Sequence, residues 1–217
     1  MKTFQLEGSP REIVGKKVTK TIRKQGLIPA VLYGQAPVEL PCKGVLNKGE
    51  KIVEIGGNKG VIVTEFVVTT EDVRKLVYSP HIYLVELTLE GGRKTKSIIK
   101  DLQFHPVTDA LLHMDFLEVF DDKPVVMDVP VVLEGHAEGV KAGGKLNLDM
   151  RRLRVKALHD KIPETLTVQV EKLGLGKSIQ VGDLHFEGLE LINTRNSVVC
   201  SVKLTRAARG LEAAKNK

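Results

Sequence analysis

At 217 residues, with 4% aromatics, no Trp and a net charge of +6, the chain suits one large or two ordinary domains whose cores rest on Val, Leu and Ile. Cys42 and Cys200 stand alone, which argues against a disulfide framework or a zinc site and for a reducing compartment. Lys2, Glu7, Arg11 and Glu12 interrupt any apolar leader and no run is long enough to cross a bilayer, so a cytosolic protein without a membrane partner is expected.

The charge is unevenly placed. Residues 1–24 hold seven Lys or Arg and two Glu, net +5, while residues 25–120 net −2, residues 121–206 net +1 and residues 207–217 net +2. A concentrated basic segment on a nearly neutral body reads as a local anion-binding surface. β-Branched residues alternating with polar ones indicate a mainly β fold.

In chain order, "KTFQLEG" is a short first strand with Phe4 and Leu6 on one side. "GKKVTKTIRKQG" follows, and Gly15 and Gly26 bound a short helix. At about 100° per residue, Val14, Val18 and Ile22 form its inner stripe, with Lys16, Lys20 and Arg23 opposite and Lys17, Thr19 and Lys24 at the margins. "LIPAVLYG" is an apolar strand opened by Pro29. From Pro37 to Gly60 the chain is Gly-rich, with a β piece at "KIVEI" and a turn at "GGNKG".

"FVVTTEDVRKLVYSP" changes period: Thr69 or Thr70 caps a helix with Glu71 and Asp72 in its first turn. Val73, Leu76 and Val77 face inward there, and Pro80 ends it. "HIYLVELTLEGGRKTKSIIKDLQF" is a hairpin turning at Gly91-Gly92. In "LLHMDFLEVF" the period of two puts Leu112, Met114 and Phe116 on the buried face and His113 with Asp115 on the opposite, solvent-directed face.

The pattern restarts at Asp121–Pro124, where "PVVMDVPVVLEG" opens a second series of strands including "LRVKAL", "ETLTVQVEKL", "KSIQV" and "SVVCSVKL". The expected organisation is a first domain over 1–120, a second mostly β domain over 121–206 and a frayed tail over 207–217.

Chemical motifs are few. "GLGKS" at 174–178 resembles the end of a phosphate loop, but Glu171 stands where that loop needs Gly and no strand feeds a long helix. His113 and Asp115 could serve as acid and base, yet no nucleophile elbow, HExxH or cysteine accompanies them, so no enzyme is expected. No metal, cofactor or small-molecule substrate is implied. The basic helix carries charges of one sign from Lys16 to Lys24, with only Glu12 upstream to pair with Lys16. Tyr33 ends the next strand, and an aromatic beside cations suits nucleic acid.

Arg11, then Gly15-Lys16, then "TKTIRKQGLIPAVLYG", then a distal "HMDF" resemble the bacterial large-subunit ribosomal protein family that binds 5S rRNA. "VKAGGKL", "IPETLTVQV" and "GKSIQVGDL" are similar to the C-terminal domain of its long form, the general stress protein CTC family. The resemblance implies an N-terminal antiparallel β-barrel with short helices seated on 5S rRNA. It also implies a second β domain reaching other ribosomal proteins or rRNA, and a cytoplasmic location on the large ribosomal subunit. Carried over residue by residue, it implies RNA contacts at Arg11, Lys16, Thr19, Lys20, Arg23, Tyr33, Gln103, His113 and Asp115. Thr19 stands where the family usually has Ser, and Lys20 where it has Arg, so Lys20 offers a point charge in place of a two-pronged fork. The stretch from about Leu40 to Glu65 looks inserted relative to the family. A stress-linked adaptor whose C-terminal domain binds protein is the alternative.

Overall fold

Alternating apolar residues over the first half produce strands whose inner faces meet around one core. The structure is a computed structural model that describes residues 1–11, 13, 15–39, 48–56, 59–89 and 94–205. The chain divides into two units, Met1–Lys123 and Pro124–Lys217.

The first unit contains β1 (Lys2–Pro10), α1 (Lys16–Lys24), β2 (Leu27–Glu39), β3 (Glu50–Gly56), β4 (Lys59–Thr69), α2 (Thr70–Val77), β5 (Tyr83–Leu89), β6 (Lys94–Phe104) and β7 (Leu111–Glu118). The strands run in the order β1-β5-β6-β7-β2-β4, and β4 pairs back onto β1 at Ser9–Val67 and Pro10–Phe66, closing a six-stranded barrel. Leu6, Leu32, Phe66, Leu87, Met114 and Phe116 fill it and are all but inaccessible to solvent. The Phe66 and Phe116 rings meet at 5.7 Å between centroids, and burying each such ring contributes about 1.5–3 kcal/mol. Gly8 lets β1 approach this core, since a Cβ there would stand 2.7 Å from the Phe66 ring.

The mainly β class and the barrel match expectation, but the barrel is mixed rather than uniformly antiparallel. β1 runs parallel to β5, and β2 runs parallel to β7. Parallel neighbours need long connections, and the elements from α1 through α2 supply one for β1 and β5. The stretch that looks inserted is in part a barrel wall: β4 lies between β2 and β1, and only β3 hangs outside the ring. Residues 40–47, including Cys42, and the hairpin tip at Gly91-Gly92 lie outside the described residues.

Both helices are bounded by local signals. Gly15 precedes α1, and Gly26 follows it with φ +76°, a left-handed turn that glycine adopts without strain. Val18 and Ile22 are half-buried and no α1 residue is fully buried, so the helix sits shallowly; Val14 lies outside the described residues. Thr69 caps α2 by accepting a hydrogen bond from the Asp72 amide at 3.2 Å, and Val73 and Leu76 are buried beneath it. Pro29 is the third residue of β2, and the ladder to β7 begins just after it, at Ala30.

The second unit contains β8 (Val125–Glu134), α3 (Glu138–Lys141), β9 (Lys145–Leu148), β10 (Arg152–Ala157), β11 (Leu166–Gln169), β12 (Ser178–Gln180), β13 (Glu190–Leu191) and β14 (Val198–Lys203). They form a four-stranded sheet ordered β11-β8-β10-β13 and a three-stranded sheet ordered β12-β14-β9. β10 alternates strictly, with Leu153, Val155 and Ala157 inward and Arg152, Arg154 and Lys156 outward. Two of those cations are matched by carboxylates, Arg154 by Asp128 at 2.9 Å and Lys156 by Glu190 at 3.3 Å. "GLGKS" forms a turn into β12 with Gly176 at φ +68°, and no long helix follows it. Cys200 is buried with its thiol free, and burial raises its pKa above the usual thiol value.

Candidate nucleic-acid interface

β7 is the centre of the candidate surface because it is paired on both sides, antiparallel to β6 and parallel to β2. Residues in register on adjacent strands share a face. Gln103 lies opposite His113, Asp101 opposite Asp115, and Asp115 beside Val31. The side chains of Gln103, His113, Asp115 and Tyr33 therefore converge on the outside of the barrel, behind the core positions Met114 and Phe116.

Three of these groups, His113, Asp115 and Tyr33, touch one another. His113 Nδ1 and Asp115 Oδ1 are 2.6 Å apart, and both atoms are shielded from solvent and face each other. The two atoms are close but not aligned for a hydrogen bond, so this is a contact of proximity. The other carboxylate oxygen accepts from the Tyr33 hydroxyl at 3.3 Å. Burial raises the Tyr33 pKa above the ordinary tyrosine value, and the Asp115 charge and hydrogen bond raise it further, so the phenol stays a donor. The His113 and Asp115 side chains are only 24% and 19% exposed. They are less solvent-directed than the period of two implies, because each leans on its neighbour. Leu112 in turn is half-buried rather than core.

The basic helix lies against β2, and two arginines fix its ends. Arg11 donates from Nη2 to the Thr19 hydroxyl at 2.8 Å and from Nε to the Ile13 carbonyl at 2.9 Å. The Thr19 hydroxyl in turn donates a hydrogen bond to the Gly15 carbonyl at 3.0 Å. Arg23 grips the Leu112 carbonyl with Nε at 3.1 Å and Nη2 at 2.8 Å. That carbonyl lies just beyond the β2–β7 ladder, whose first pair is Ala30–Met114. Arg23 and Thr19 are thus partly structural, contrary to a helical projection that turns Arg23 wholly outward and leaves Thr19 at the margin. Lys16, Lys17, Lys20 and Lys24 are exposed.

Sequence reasoning does not find Asp101, which puts a second carboxylate on this face opposite Asp115. Irregularities between Ile99 and Asp101 and between Gln103 and Phe104 shift the β6–β7 register, so that pairing cannot be counted from the chain alone.

The closed barrel thus carries a face of clustered hydrogen-bonding groups with a one-signed helix beside it. Residues 6–63 and 52–116 match the model of the ribosomal L25p family, and residues 124–206 match the model of the ribosomal protein TL5 C-terminal domain. The large ribosomal subunit protein bL25 of Porphyromonas gingivalis is 58% identical over 97% of both chains. That of Parabacteroides distasonis is 59% identical over 98% of this chain and 99% of its own. That of Bacteroides thetaiotaomicron is 50% identical over the full length of both. This chain belongs to the ribosomal L25p family.

Proposed function

We propose that the chain is a non-enzymatic structural component of the large ribosomal subunit, at work in the cytoplasm, that binds 5S rRNA through α1, the Tyr33 strand and the His113-x-Asp115 strand. The observation that carries the reading is the clustering of Gln103, His113, Asp115 and Tyr33 on one outer face, beside a helix whose exposed charges are all positive. The names of the relatives support the ribosomal setting.

The parts divide the work. Lys16 and Lys20 meet phosphates as exposed point charges. Arg11 and Arg23 each spend two N–H groups on the protein, and a guanidinium has about five, so both retain donors for the RNA backbone. Thr19 contributes by holding Arg11. His113, Asp115, Tyr33 and Gln103 supply hydrogen bonds to base edges and 2′-hydroxyls, the groups that let a protein read RNA. Asp115 accepts from Tyr33 with one oxygen and packs the other against His113 Nδ1 at 2.6 Å, so the carboxylate is a held recognition group rather than a freely rotating one. Sequencing RNA that co-purifies with the full chain from lysate tests the reading. 5S rRNA should dominate; capture of protein without RNA would favour an adaptor and defeat it.

A further inference from the structure

A cleft of about 210 Å³ opens where the end of α1, one face of α2 and the start of β7 meet. It is roomier than the space of a single ordered water. α2 lines it with Thr70, Val73, Arg74 and Val77, one stripe of the helix, while Arg23 and Leu112 form the wall facing them. Among the described residues none that lines it is acidic: Glu71 and Asp72 lie off the stripe. Hydrogen bonds hold the walls in place. Thr70 donates its hydroxyl at 2.6 Å and its amide at 3.0 Å to the Gly26 carbonyl, tying α2 to the end of α1. The Arg23 fork ties α1 to Leu112 on the other side.

The mouth of the cleft is aromatic and exposed. Tyr78 lines it, is 65% exposed, and meets the Phe104 ring at 6.5 Å. Phe104 follows Gln103 on β6 and Leu112 precedes His113 on β7, so the cleft lies at the ends of the two strands that carry the face assigned to RNA, next to that face rather than on it. The loop between these strands is tightly held, with His105 Nδ1 accepting from the Val107 and Thr108 amides at 3.3 and 3.2 Å. An exposed tyrosine beside two arginines, with an apolar floor and no carboxylate, has the chemistry of a platform for one flat, uncharged ring attached to an anion.

The geometry points to this cleft as a seat for one unpaired nucleotide of the bound RNA, its base stacked on Tyr78 and its phosphate at Arg74. The inference rests on the RNA-binding reading above and extends the interface from the sheet face to α2. It is tested with the full chain and transcribed 5S rRNA at fixed salt. Tyr78→Ala should weaken binding about tenfold or more, the scale of one lost base stack, with an unchanged salt slope, and Tyr78→Phe should restore it. Arg74→Ala should lower the slope of log K against log salt by about 1. One unpaired nucleotide should be shielded from base-specific chemical modification by the unaltered chain and exposed by Tyr78→Ala. Affinity within twofold for a folded Tyr78→Ala chain overturns the inference while leaving the RNA reading intact. So does a loss confined to protein capture, which would make the cleft a protein-docking site. Failure of the unaltered chain to bind 5S rRNA removes both.

Discussion

His113 shows how one side chain is made ready for recognition. Its Nδ1 lies 2.6 Å from Asp115 Oδ1 and is shielded, so the partial exposure of the side chain belongs to the rest of the ring. His113→Ala should therefore weaken 5S rRNA binding by about 1–3 kcal/mol, the usual cost of a specific contact. Thermal denaturation should show a much smaller effect than for Phe116→Ala, which empties a fully buried site and should cost about 3–5 kcal/mol. Equal losses of stability would place His113 in the core and remove its recognition role. Tyr33 gives a pH-dependent signature of the same cluster. Its raised pKa means that the folded chain holds the phenolic proton more tightly than the unfolded chain. Its contribution to stability is complete below the ordinary tyrosine value of about 10 and is lost as pH rises through the folded value. Asp115→Asn should shift the Tyr33 ionisation downward in ultraviolet titration without abolishing the elevation, because burial is its largest cause. A shift upward would contradict the Tyr33–Asp115 contact.

Elements whose signals are local are legible in the chain, and those set by distant partners are not. Gly15 and Gly26 mark α1, Thr69 with Asp72 marks the start of α2, and the alternation around Met114 and Phe116 marks β7, because each pattern lies within a few residues. The parallel pairings of β1 with β5 and of β2 with β7 carry no such mark, since they depend on which strands become neighbours after the chain has turned several times. The first part of β4, up to Glu65, falls in the stretch that looks inserted relative to the family, whereas Phe66 and Val68 beyond it are core. For the site, residue types and their common face are legible, whereas the hold of Arg23 on Leu112 is not: a helical projection gives a direction but not the element lying there. Two substitutions test the element boundaries by chemical denaturation. Thr69→Ala should cost about 0.5–2 kcal/mol by removing the α2 cap. Gly8→Ala should cost about 1–3 kcal/mol by forcing a methyl group against the Phe66 ring.

At the scale of the whole molecule, the proposed RNA surface lies entirely in the unit Met1–Lys123, and the outward cations of β10 are in part matched by Asp128 and Glu190. A folded fragment of residues 1–123 should then bind 5S rRNA within about tenfold, or 1.4 kcal/mol, of the full chain at fixed salt. A larger loss would show that the second unit shares the RNA site. If α1 meets phosphate while the adjoining strand face reads the RNA, counterion release is the most direct signature. Lys16 and Lys20 are exposed, and no core packing depends on their ammonium groups. The decisive measurement is the slope of log K against log salt for 5S rRNA binding by the full chain and by its Lys16→Ala/Lys20→Ala variant. The slope should be smaller in magnitude by about 2 in the variant, near 0.9 for each phosphate contact removed; an unchanged slope would mean that α1 does not meet phosphate.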